Sequence, residues 1–404
     1  MIVGGLRKDG VMTDYELSSV KKVIGTHFKK AAELSCYLRE HPELPDQEFE
    51  SSRKMVEILK EAGFEVTYPF AGYETAFHAL FDNGDGPEVA ILTEYDALPE
   101  IGHGCGHNLH GSLSVLTGLA LKDLKEFYRG KVHVIGTPAE EENGAKIGMA
   151  AQGIFDNMSL AMMMHSWSGG KCRADMDALS LRCYFVEFYG QAAHAVAAPW
   201  EGRSALAAAR KFLDLIDARR ECFTPDVHVN SIVVDGGKAP NIIPDYVKLR
   251  MEFRTATMKS MGAVDEMVKK CADGAALALD CAVKFTTVFE FADMVRNMAL
   301  EEEVVRQFES FGMPTTGVEA ASGSSDVGNV SYRCPAIQPL LAITDEDYAL
   351  HTAAFRDATA LPQAEQAMEK GACILALMAL KIFNDEAFRN RVYAEFQEQV
   401  EKRR

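Results

Sequence analysis

The residues most able to do chemistry are concentrated between Glu94 and Gly111, in the stretch EYDALPEIGHGCGHNLHG. This stretch follows a short apolar run and precedes a long one, which predicts a turn between a buried strand and a buried helix. A loop could direct the thiol and the imidazole of its CGH triplet toward one metal ion. The alternative, a helix cap with solvated histidines, explains any single residue better than it explains the cluster. The candidate metal ligands in it are the carboxylates of Glu94 and Asp96, the three imidazoles of His103, His107 and His110, and the thiol of Cys105.

Three adjacent carboxylates, Glu140, Glu141 and Glu142, follow a predicted strand through Pro138. One interpretation is an acidic, solvated helix start that the helix dipole stabilises. The other is a division of labour, in which one carboxylate binds a metal and its neighbour takes a proton from metal-bound water. That proton transfer needs a base near the ion that is not itself a ligand. The residues alone leave both interpretations open.

Two further histidines, His165 and His351, are candidate ligands. His165 ends the run Met-Met-Met-His, where a histidine in the core is by itself the more common explanation. Its place at the end of a predicted strand, beside the other ligand-rich segments, favours a metal ligand instead. His351 lies in ALHTAAF, which gives no independent signal.

Polar residues of a different kind lie in the middle of the chain. His194, in GQAAHAVAAPWEGRSAL, could donate a hydrogen bond to a developing oxyanion if it sits on a domain that closes over the site. The alternative is a surface histidine in a strand-to-helix turn. Asn241 and Arg254 could hold a substrate carboxylate, because guanidinium groups form bidentate pairs with carboxylates. A structural turn and a solvated strand end explain these two residues equally well.

The elements that must position the first set of residues alternate between strand and helix. This alternation predicts an α/β fold with a largely parallel sheet covered by helices. In such sheets the ligand site lies at the carboxyl ends of the strands. Three ligand-rich segments follow predicted strands: residues 94–110, residues 138–142 and His165. The sequence therefore predicts one site at one edge of the sheet.

The chain is predicted to contain two domains, since 404 residues exceed one ordinary core. Residues 178–293 read as strand–helix–strand–strand–helix–strand, the order of a ferredoxin-like α+β sandwich. We therefore expect residues 178–293 to be inserted into a domain formed by residues 1–177 and 294–404.

Composition excludes several classes of partner. A net charge of −17 argues against nucleic acid and against an anionic membrane surface. Nine cysteines without paired spacing indicate reduced thiols rather than a disulfide framework. The first residues have no apolar core of a signal peptide, and the longest apolar run is too short to span a bilayer. A soluble, cytoplasmic protein is the expectation.

Taken together, the motifs resemble those of the metal-dependent amidohydrolase and peptidase family that includes acetylornithine deacetylase, succinyl-diaminopimelate desuccinylase and glutamate carboxypeptidase. Within it, the chain is most similar to the branch of the p-aminobenzoyl-glutamate hydrolase B subunit and the cytosolic β-alanyl dipeptidases. The resemblance covers essentially the whole chain. It is carried by EYDALP, GHGCGHN, PAEEENGAK, HSW, GQAAHAVAAPWEGRSAL, APNIIPD, SSDVGNVS and LHT, in family order.

The resemblance implies a role for each matching residue. Glu140 matches the general base, and His194 matches a histidine of the dimerisation (lid) domain that reaches into the active site of the partner subunit. The implied protein is a homodimer that hydrolyses an amide bond in a small substrate, such as a dipeptide or an N-acyl or N-aroyl amino acid, with one or two divalent ions (Zn²⁺ or Mn²⁺). The residues that match metal ligands are Cys105, His107, Glu141, His165 and His351.

The chain departs from the family pattern at several points. Glu142 and Asn143 replace a pair of glycines after the two glutamates, which adds a charge near the expected base. His110 is assigned at most an indirect role, and Asp326 none. Two alternatives stay open: an amidase for an unusual aryl amide or amine, and a non-catalytic, metal-free binding or regulatory subunit that keeps the fold.

Overall fold

A computed structural model describes residues 14–321 and 323–403 of the chain. The part of the chain before the predicted domain boundary contains two initial helices, three strands, and then strands interspersed with helices. The helices of this part are α1 (Asp14–Glu40), α2 (Phe49–Glu61), α3 (His107–Asp123) and α4 (Ala145–Ala151), with a 3-10 turn at Lys125–Phe127; the strands are β1 (Glu65–Thr67), β2 (Phe77–Asp82), β3 (Glu88–Thr93), β4 (Lys131–Gly136), β5 (Leu160–Met162), β6 (His165–Trp167) and β7 (Cys172–Arg173).

The middle of the chain contains longer strands and two long helices. The strands are β8 (Ser180–Tyr189), β9 (Ala193–His194), β10 (His228–Asp235), β11 (Ile242–Ile243), β12 (Tyr246–Thr255) and β13 (Ala282–Phe291); the helices are α5 (Ala205–Arg219) and α6 (Met258–Ala278), with 3-10 turns at Pro199–Glu201 and Arg220–Cys222.

The last part of the chain is mainly helical. Its helices are α7 (Met298–Ser310), α8 (Val327–Ser331), α9 (Ala353–Ala358), α10 (Pro362–Asn384) and α11 (Glu386–Arg403); its strands are β14 (Thr315–Thr316), β15 (Ala336–Ile337) and β16 (Leu340–Ala342).

The described chain divides into two compact units. The first contains the residues up to Asp177, Met294–Ala320 and Ser325–Lys402. The second contains Ala178–Asp293 and a few residues near Gly323 and at Arg403. Within the described residues, no helix combines the length and the apolar character needed to cross a membrane.

A six-stranded sheet in the order β1-β2-β4-β3-β5-β15 forms the centre of the first unit. The four strands from β4 to β15 are mutually parallel, and β1 and β2 add an antiparallel edge. The predicted largely parallel α/β sheet is therefore confirmed. Because Thr93 at the end of β3 pairs with Gly136 at the end of β4, the loops after both strands leave the same edge.

Burial on both faces explains why the central strands read as apolar runs. In β3, every residue from Val89 to Thr93 is buried, as expected for a parallel strand with helices on both sides. Helix α3 is itself buried from His107 to Leu121 and packs between α1 and α10. A helix buried all round can place polar side chains in the interior, where a surface helix would expose them.

A second, four-stranded sheet of the first unit, β14-β7-β16-β6, positions the segment around His165. Strand β6 begins at His165, which is paired in register with Leu340 of β16. The backbone N–H of His165 also donates to the Pro339 carbonyl, at 2.8 Å. These bonds fix the start of β6 close to the end of β5.

The second unit has the ferredoxin-like topology that the sequence predicts. Its sheet has the order β10-β12-β8-β13 and every pairing is antiparallel. Helices α5 and α6 pack together against the sheet and enclose an apolar core that includes Phe188, Phe212, Phe253 and Val268. The element order β8-α5-β10-β12-α6-β13 confirms the predicted strand–helix alternation.

Close approach of α3 to β3 depends on Gly111. A Cβ atom at Gly111 would lie 2.1 Å from the carbonyl oxygen of Glu94, a distance that a backbone group cannot relieve by rotating. The missing side chain therefore allows the first turn of α3 to pack directly on the chain that leaves β3.

We expect Gly111→Ala to lower the thermal unfolding midpoint, because the added methyl group overpacks this contact at a cost of about 1–3 kcal/mol. The matched control is Gly25→Ala in α1, where an added Cβ atom meets nothing within 4 Å. That variant should keep or raise the midpoint, since alanine favours a helix over glycine by about 0.5–1 kcal/mol. Differential scanning fluorimetry of the three proteins makes the comparison. Equal midpoints for Gly111→Ala and wild type would contradict the packing argument.

Candidate metal and active site

The candidate site lies where β3 and β4 end and where α3 and β6 begin. Helix α3 starts at His107, six residues earlier than the apolar run at Leu113 suggests. Gly106, with φ of +78°, turns the chain into the helix. The expected ligand-rich turn therefore includes the first helical turn, and His107 and His110 are three residues apart on one helix face.

His107 presents one ring nitrogen to a cluster of carboxylates. Its Nδ1 lies 2.9 Å from the Asp96 carbonyl oxygen and 3.0 Å from Asp96 Oδ1, so Nδ1 carries the donated hydrogen. Asp96 Oδ2 in turn accepts the Glu141 backbone N–H at 3.0 Å. Nε2 is buried and has no hydrogen-bond partner among the residues that the structure describes. It lies 4.0 Å from Glu140 Oε2 and 3.9 Å from Glu141 Oε1.

The electrostatics around His107 favour a cation. Burial alone lowers the pKa of His107, but the carboxylates of Asp96, Glu94 and Glu141 raise it well above its usual value. These carboxylates therefore hold a positive charge on the ring. A divalent ion would replace that proton, because metal binding to histidine releases it. A carboxylate that orients a histidine from behind is a common support of metal ligands.

His110 and His165 are held by the segment around Ser166. His110 Nδ1 accepts the Ser166 backbone N–H at 3.2 Å, and its Nε2 lies 3.1 Å from Glu94 Oε2. His165 Nδ1 donates to the Ser166 carbonyl at 2.8 Å, which leaves its Nε2 as an electron-pair donor. Burial lowers the pKa of His110 to about 3 and that of His165 to about 4. Both rings are therefore neutral at pH 7. His165 Nε2 can then bind a metal ion, whereas both nitrogens of His110 already have hydrogen-bond partners.

Cys105 and His351 meet at Glu141. His351 Nε2 lies 3.4 Å from Glu141 Oε2. The backbone N–H of His351 donates to the Gly104 carbonyl at 3.0 Å, which ties the two loops together. Burial and the Glu141 carboxylate raise the pKa of the Cys105 thiol well above its usual value. A metal ion would reverse that shift, because a coordinating thiol loses its proton.

The donor atoms fall into groups that fit metal ions. Within each group, one atom per residue lies within 4.8 Å of the others. Sulfur, imidazole and carboxylate together suit zinc by softness, and carboxylates and imidazoles also accept manganese or cobalt. The group His107–Glu140–Glu141 shares His107 with one of the other two groups and Glu141 with the other, so the arrangement offers two adjacent positions for metal ions. The groups are Glu94–His107–His110–His165, Cys105–Glu141–His351 and His107–Glu140–Glu141.

A fourth group consists of the carboxylates Glu94, Glu140 and Asp326 and surrounds a buried lysine that was not among the residues predicted from the sequence. Lys146 has no exposed surface, and its Nζ donates to Glu94 Oε1 at 2.7 Å and to Asp326 Oδ1 at 2.6 Å. Burial raises the pKa of Glu94, but the Lys146 ammonium together with His110 and His107 outweighs this and lowers the pKa well below its usual value. The sequence signal that could have indicated Lys146 is its place in PAEEENGAK, since it lies in the first turn of a short helix after the acidic run.

Glu140 is a member of this fourth group and is largely buried. Burial and the carboxylates of Glu94, Asp326 and Glu141 raise its pKa well above the usual value. A carboxylate with a raised pKa holds a proton more strongly, which suits a group that accepts a proton near neutral pH. Glu142, two residues further, is exposed and belongs to none of the donor groups.

His194 and Asn241 lie together in the second unit, whereas the donor groups belong to the first. They are adjacent because β9 pairs with β11, and the Ala195 N–H donates to the Asn241 carbonyl at 3.0 Å. The exposed His194 ring accepts the backbone N–H groups of Val196 and Ala197 at Nδ1, at 3.2 and 3.1 Å. In the neutral ring the hydrogen is therefore on Nε2, which is available as a donor.

Arg254 is not grouped with Asn241 within the second unit. Arg254 is the last residue but one of β12, whereas Asn241 lies shortly before the start of that strand. At 3.4 Å per residue, Tyr246 at the start of β12 is about 27 Å from Arg254. Arg254 Nε donates to Glu252 Oε1 at 2.9 Å. The two predicted substrate-binding residues thus lie at opposite ends of one strand.

Known proteins resemble this chain in sequence and in fold. Residues 180–279 match the model of the peptidase dimerisation domain of the M20 family. The chain is 32% identical to mouse Xaa-Arg dipeptidase, over 96% of this chain and 94% of the relative. It is 30% identical to the B subunit of Escherichia coli p-aminobenzoyl-glutamate hydrolase, over 68% of this chain and 61% of that relative. The crystal structure of a Bacillus subtilis dinuclear metal-binding peptidase of the M20 family superposes with a TM-score of 0.69 at 21% identity, over 89% of this chain and 99% of that one. The expected family is confirmed, and the chain belongs to the M20 family of metal-dependent peptidases and amidohydrolases, enzymes that hydrolyse carbon–nitrogen bonds.

Proposed function

We propose that this protein hydrolyses the amide bond of a small substrate, a dipeptide or an N-acyl or N-aroyl amino acid, with Glu140 as general base. The observation that carries the proposal is the geometry around His107. Its Nε2 is buried, has no partner within the described residues, and faces Glu140 and Glu141 at about equal distance. One carboxylate can thus serve as a ligand while its neighbour stays available for a proton.

The proposed ligands of one or two divalent ions, Zn²⁺ or Mn²⁺, are the residues that match the family motifs. A bound divalent ion would polarise the scissile carbonyl and make water more acidic. Glu94 and His110 are added as supporting residues, because Glu94 accepts from His110 and from Lys146. The ligands are Cys105, His107, Glu141, His165 and His351.

Glu140 would move the proton. Its carboxylate takes a proton from the attacking water and later delivers it to the leaving amine, so that the amine departs neutral. Its raised pKa supports both steps, since the group must hold the proton between them. Asp96 supports this arrangement by accepting the N–H of Glu141, the next residue in the chain.

We further propose a homodimer in the cytoplasm, with residues 1–177 and 294–404 as the catalytic domain and 178–293 as the lid and dimerisation domain. His194 of one subunit would then donate Nε2–H to the oxyanion in the partner's site. Asn241, beside His194, and Arg254, through the guanidinium nitrogens that do not contact Glu252, are also proposed to bind the substrate. Because they lie at opposite ends of β12, one subunit would not bring both to the same carboxylate. The nine free thiols are in keeping with a reducing compartment.

Among substrates, a dipeptide is the first candidate, because the mouse relative that matches over almost the whole chain is an Xaa-Arg dipeptidase. An aroyl-glutamate is the second, from the resemblance to the B subunit of p-aminobenzoyl-glutamate hydrolase. A regulatory subunit, the third candidate, would neither bind metal ions at this cluster nor hydrolyse a substrate there. A single experiment separates the three.

We expect purified protein to cleave one class in a panel of dipeptides with basic, neutral and acidic C-terminal residues, aroyl-glutamates and N-acyl amino acids. Chelation should abolish cleavage, and Zn²⁺ or Mn²⁺ should restore it, because the donor groups require a cation. Mass spectrometry follows the products, and elemental analysis gives the metal content. Bound metal without cleavage of any amide would reject the substrate classes named here; absence of metal binding as well would favour the regulatory subunit.

Glu140→Gln should lower kcat by about 10²–10⁴-fold, because the amide cannot accept the proton from water. Its metal content should stay at the wild-type level, since Glu140 is proposed as base and not as ligand. The matched control is Glu142→Gln, which removes an exposed carboxylate two residues along and should leave kcat within about twofold of wild type. Near-wild-type turnover by Glu140→Gln with metal bound would exclude this base.

Mixing two inactive variants tests whether His194 acts across subunits. Glu140→Gln and His194→Ala each impair every site of their own homodimer. A mixed dimer would hold one site with both changes and one with neither, so subunit exchange should restore about a quarter of wild-type activity. Each variant incubated alone under the same conditions is the control. No recovery, with mixed dimers shown by mass spectrometry, would mean that His194 acts within its own subunit or not at all.

A further inference from the structure

Glu48 is a buried carboxylate that lies outside all of the donor groups. It immediately precedes α2 and has no exposed surface, yet its side chain does not cap that helix. Glu43 serves that purpose instead, since its carboxylate accepts the backbone N–H groups of Glu50 and Ser51 at 3.1 and 2.7 Å. The side chain of Glu48 is therefore free to bind elsewhere in the first unit.

One carboxylate oxygen of Glu48 contacts the loop after β4 directly, and the other is connected to the loop after β3 through Thr75. Oε1 accepts the backbone N–H of Ala139, immediately before Glu140, at 2.8 Å. Oε2 accepts the Thr75 hydroxyl at 2.9 Å, and the Thr75 carbonyl accepts the hydroxyl of Tyr95 at 2.7 Å. Tyr95 stands between Glu94 and Asp96, so one side chain connects the loops after β3 and β4.

The backbone at Ala139 needs such support. Ala139 has a φ of +58°, a left-handed conformation that residues other than glycine rarely adopt. Its carbonyl accepts the N–H of Gly144 at 2.7 Å, which closes the loop around the glutamates. Without Glu48, the buried Ala139 N–H would lose its acceptor. Burial and the Asp96 carboxylate raise the pKa of Glu48 to about 7, which shows that an ionised group is costly here.

We propose that Glu48 is a positioning residue: its carboxylate holds the left-handed turn at Ala139 and thereby aims Glu140 and Glu141 into the donor cluster. The kinetic consequence rests on the proposed function. The effect on the backbone does not, and the two can be measured separately.

The test compares three variants by hydrogen exchange and by kinetics. Glu48→Met keeps the volume but removes both acceptor oxygens. Glu48→Gln keeps an oxygen for the Ala139 N–H, and its amide can donate to the Thr75 hydroxyl oxygen. Glu43→Met is the matched control, because it removes a carboxylate from the same helix start without contacting Ala139.

In hydrogen exchange followed by mass spectrometry, the peptide covering residues 137–145 should exchange at least about tenfold faster in Glu48→Met than in wild type. Glu48→Gln should stay within about threefold of wild type. Glu43→Met should change exchange at the start of α2 and leave residues 137–145 unaffected. This readout needs no substrate. Unchanged exchange of residues 137–145 in Glu48→Met would overturn the proposal.

With a substrate from the panel, kcat of Glu48→Met should fall about 10–100-fold with KM within about twofold, since misplacement by about 1 Å can cost 10²-fold. Glu48→Gln should recover most of the loss, which a general loss of stability would not produce. Equal losses of kcat in Glu48→Met and Glu48→Gln would contradict the proposal. They would mean that catalysis depends on the negative charge of Glu48 and not on its oxygen that accepts the Ala139 N–H.

If wild type cleaves no amide, the proposed function fails while the exchange data still decide the role of Glu48. If Glu48→Met does not fold, Thr75→Val removes only the hydroxyl that orients the carboxylate. Thr75→Val should then speed the exchange of residues 137–145 by a smaller factor than expected for Glu48→Met. Unchanged exchange in Thr75→Val would contradict the proposal.

Discussion

The cost of burying several carboxylates within a few ångströms of one another is the constraint on which the rest of the first unit depends. Glu94, Asp96 and Asp326 have essentially no exposed surface. Unpaired buried charges are strongly unfavourable, so each must meet a cation or a donor. The Lys146 ammonium supplies one positive charge between Glu94 and Asp326, and the N–H groups of His107 and Glu141 satisfy Asp96. Negative charge still exceeds positive charge at the ligand cluster, and a bound cation would correct this.

Parallel strands provide the geometry that makes such a cluster possible. Neighbouring parallel strands end at the same edge, so residues far apart in the chain, such as Glu94 and Glu141, are brought together by the pairing of β3 with β4. The buried helix α3 adds His107 and His110, and its close contact with the Glu94 carbonyl relies on the missing side chain of Gly111. The same arrangement leaves the site near the surface, where the His351 side chain is exposed.

The supporting hydrogen bonds divide the carboxylates by role. Asp96 and Glu48 accept backbone N–H groups of the loop after β4, at Glu141 and Ala139. Glu140 and Glu141 are then left with side chains that face the cluster. This division explains how two adjacent glutamates on one loop can serve different chemical purposes. Rigid support of this kind matters because small displacements of a reacting group have large effects on rate.

The amino-acid sequence alone was sufficient for the α/β class, the ferredoxin-like insertion and the family, because periodic burial and dense ligand motifs are local signals. It also indicated Cys105, His107 and the glutamates after Pro138 as candidates. Only the tertiary structure placed Lys146 between Glu94 and Asp326 and directed the Glu48 carboxylate to Ala139, since partners 52 to 180 residues apart leave no local pattern. The start of α3 at His107 was likewise hidden, because the polar residues of its first turn are buried only once β6 and the loop after β3 pack against them. The sequence determined which chemistry was available, and the packing of distant segments decided which groups are paired and which remain free to bind an ion.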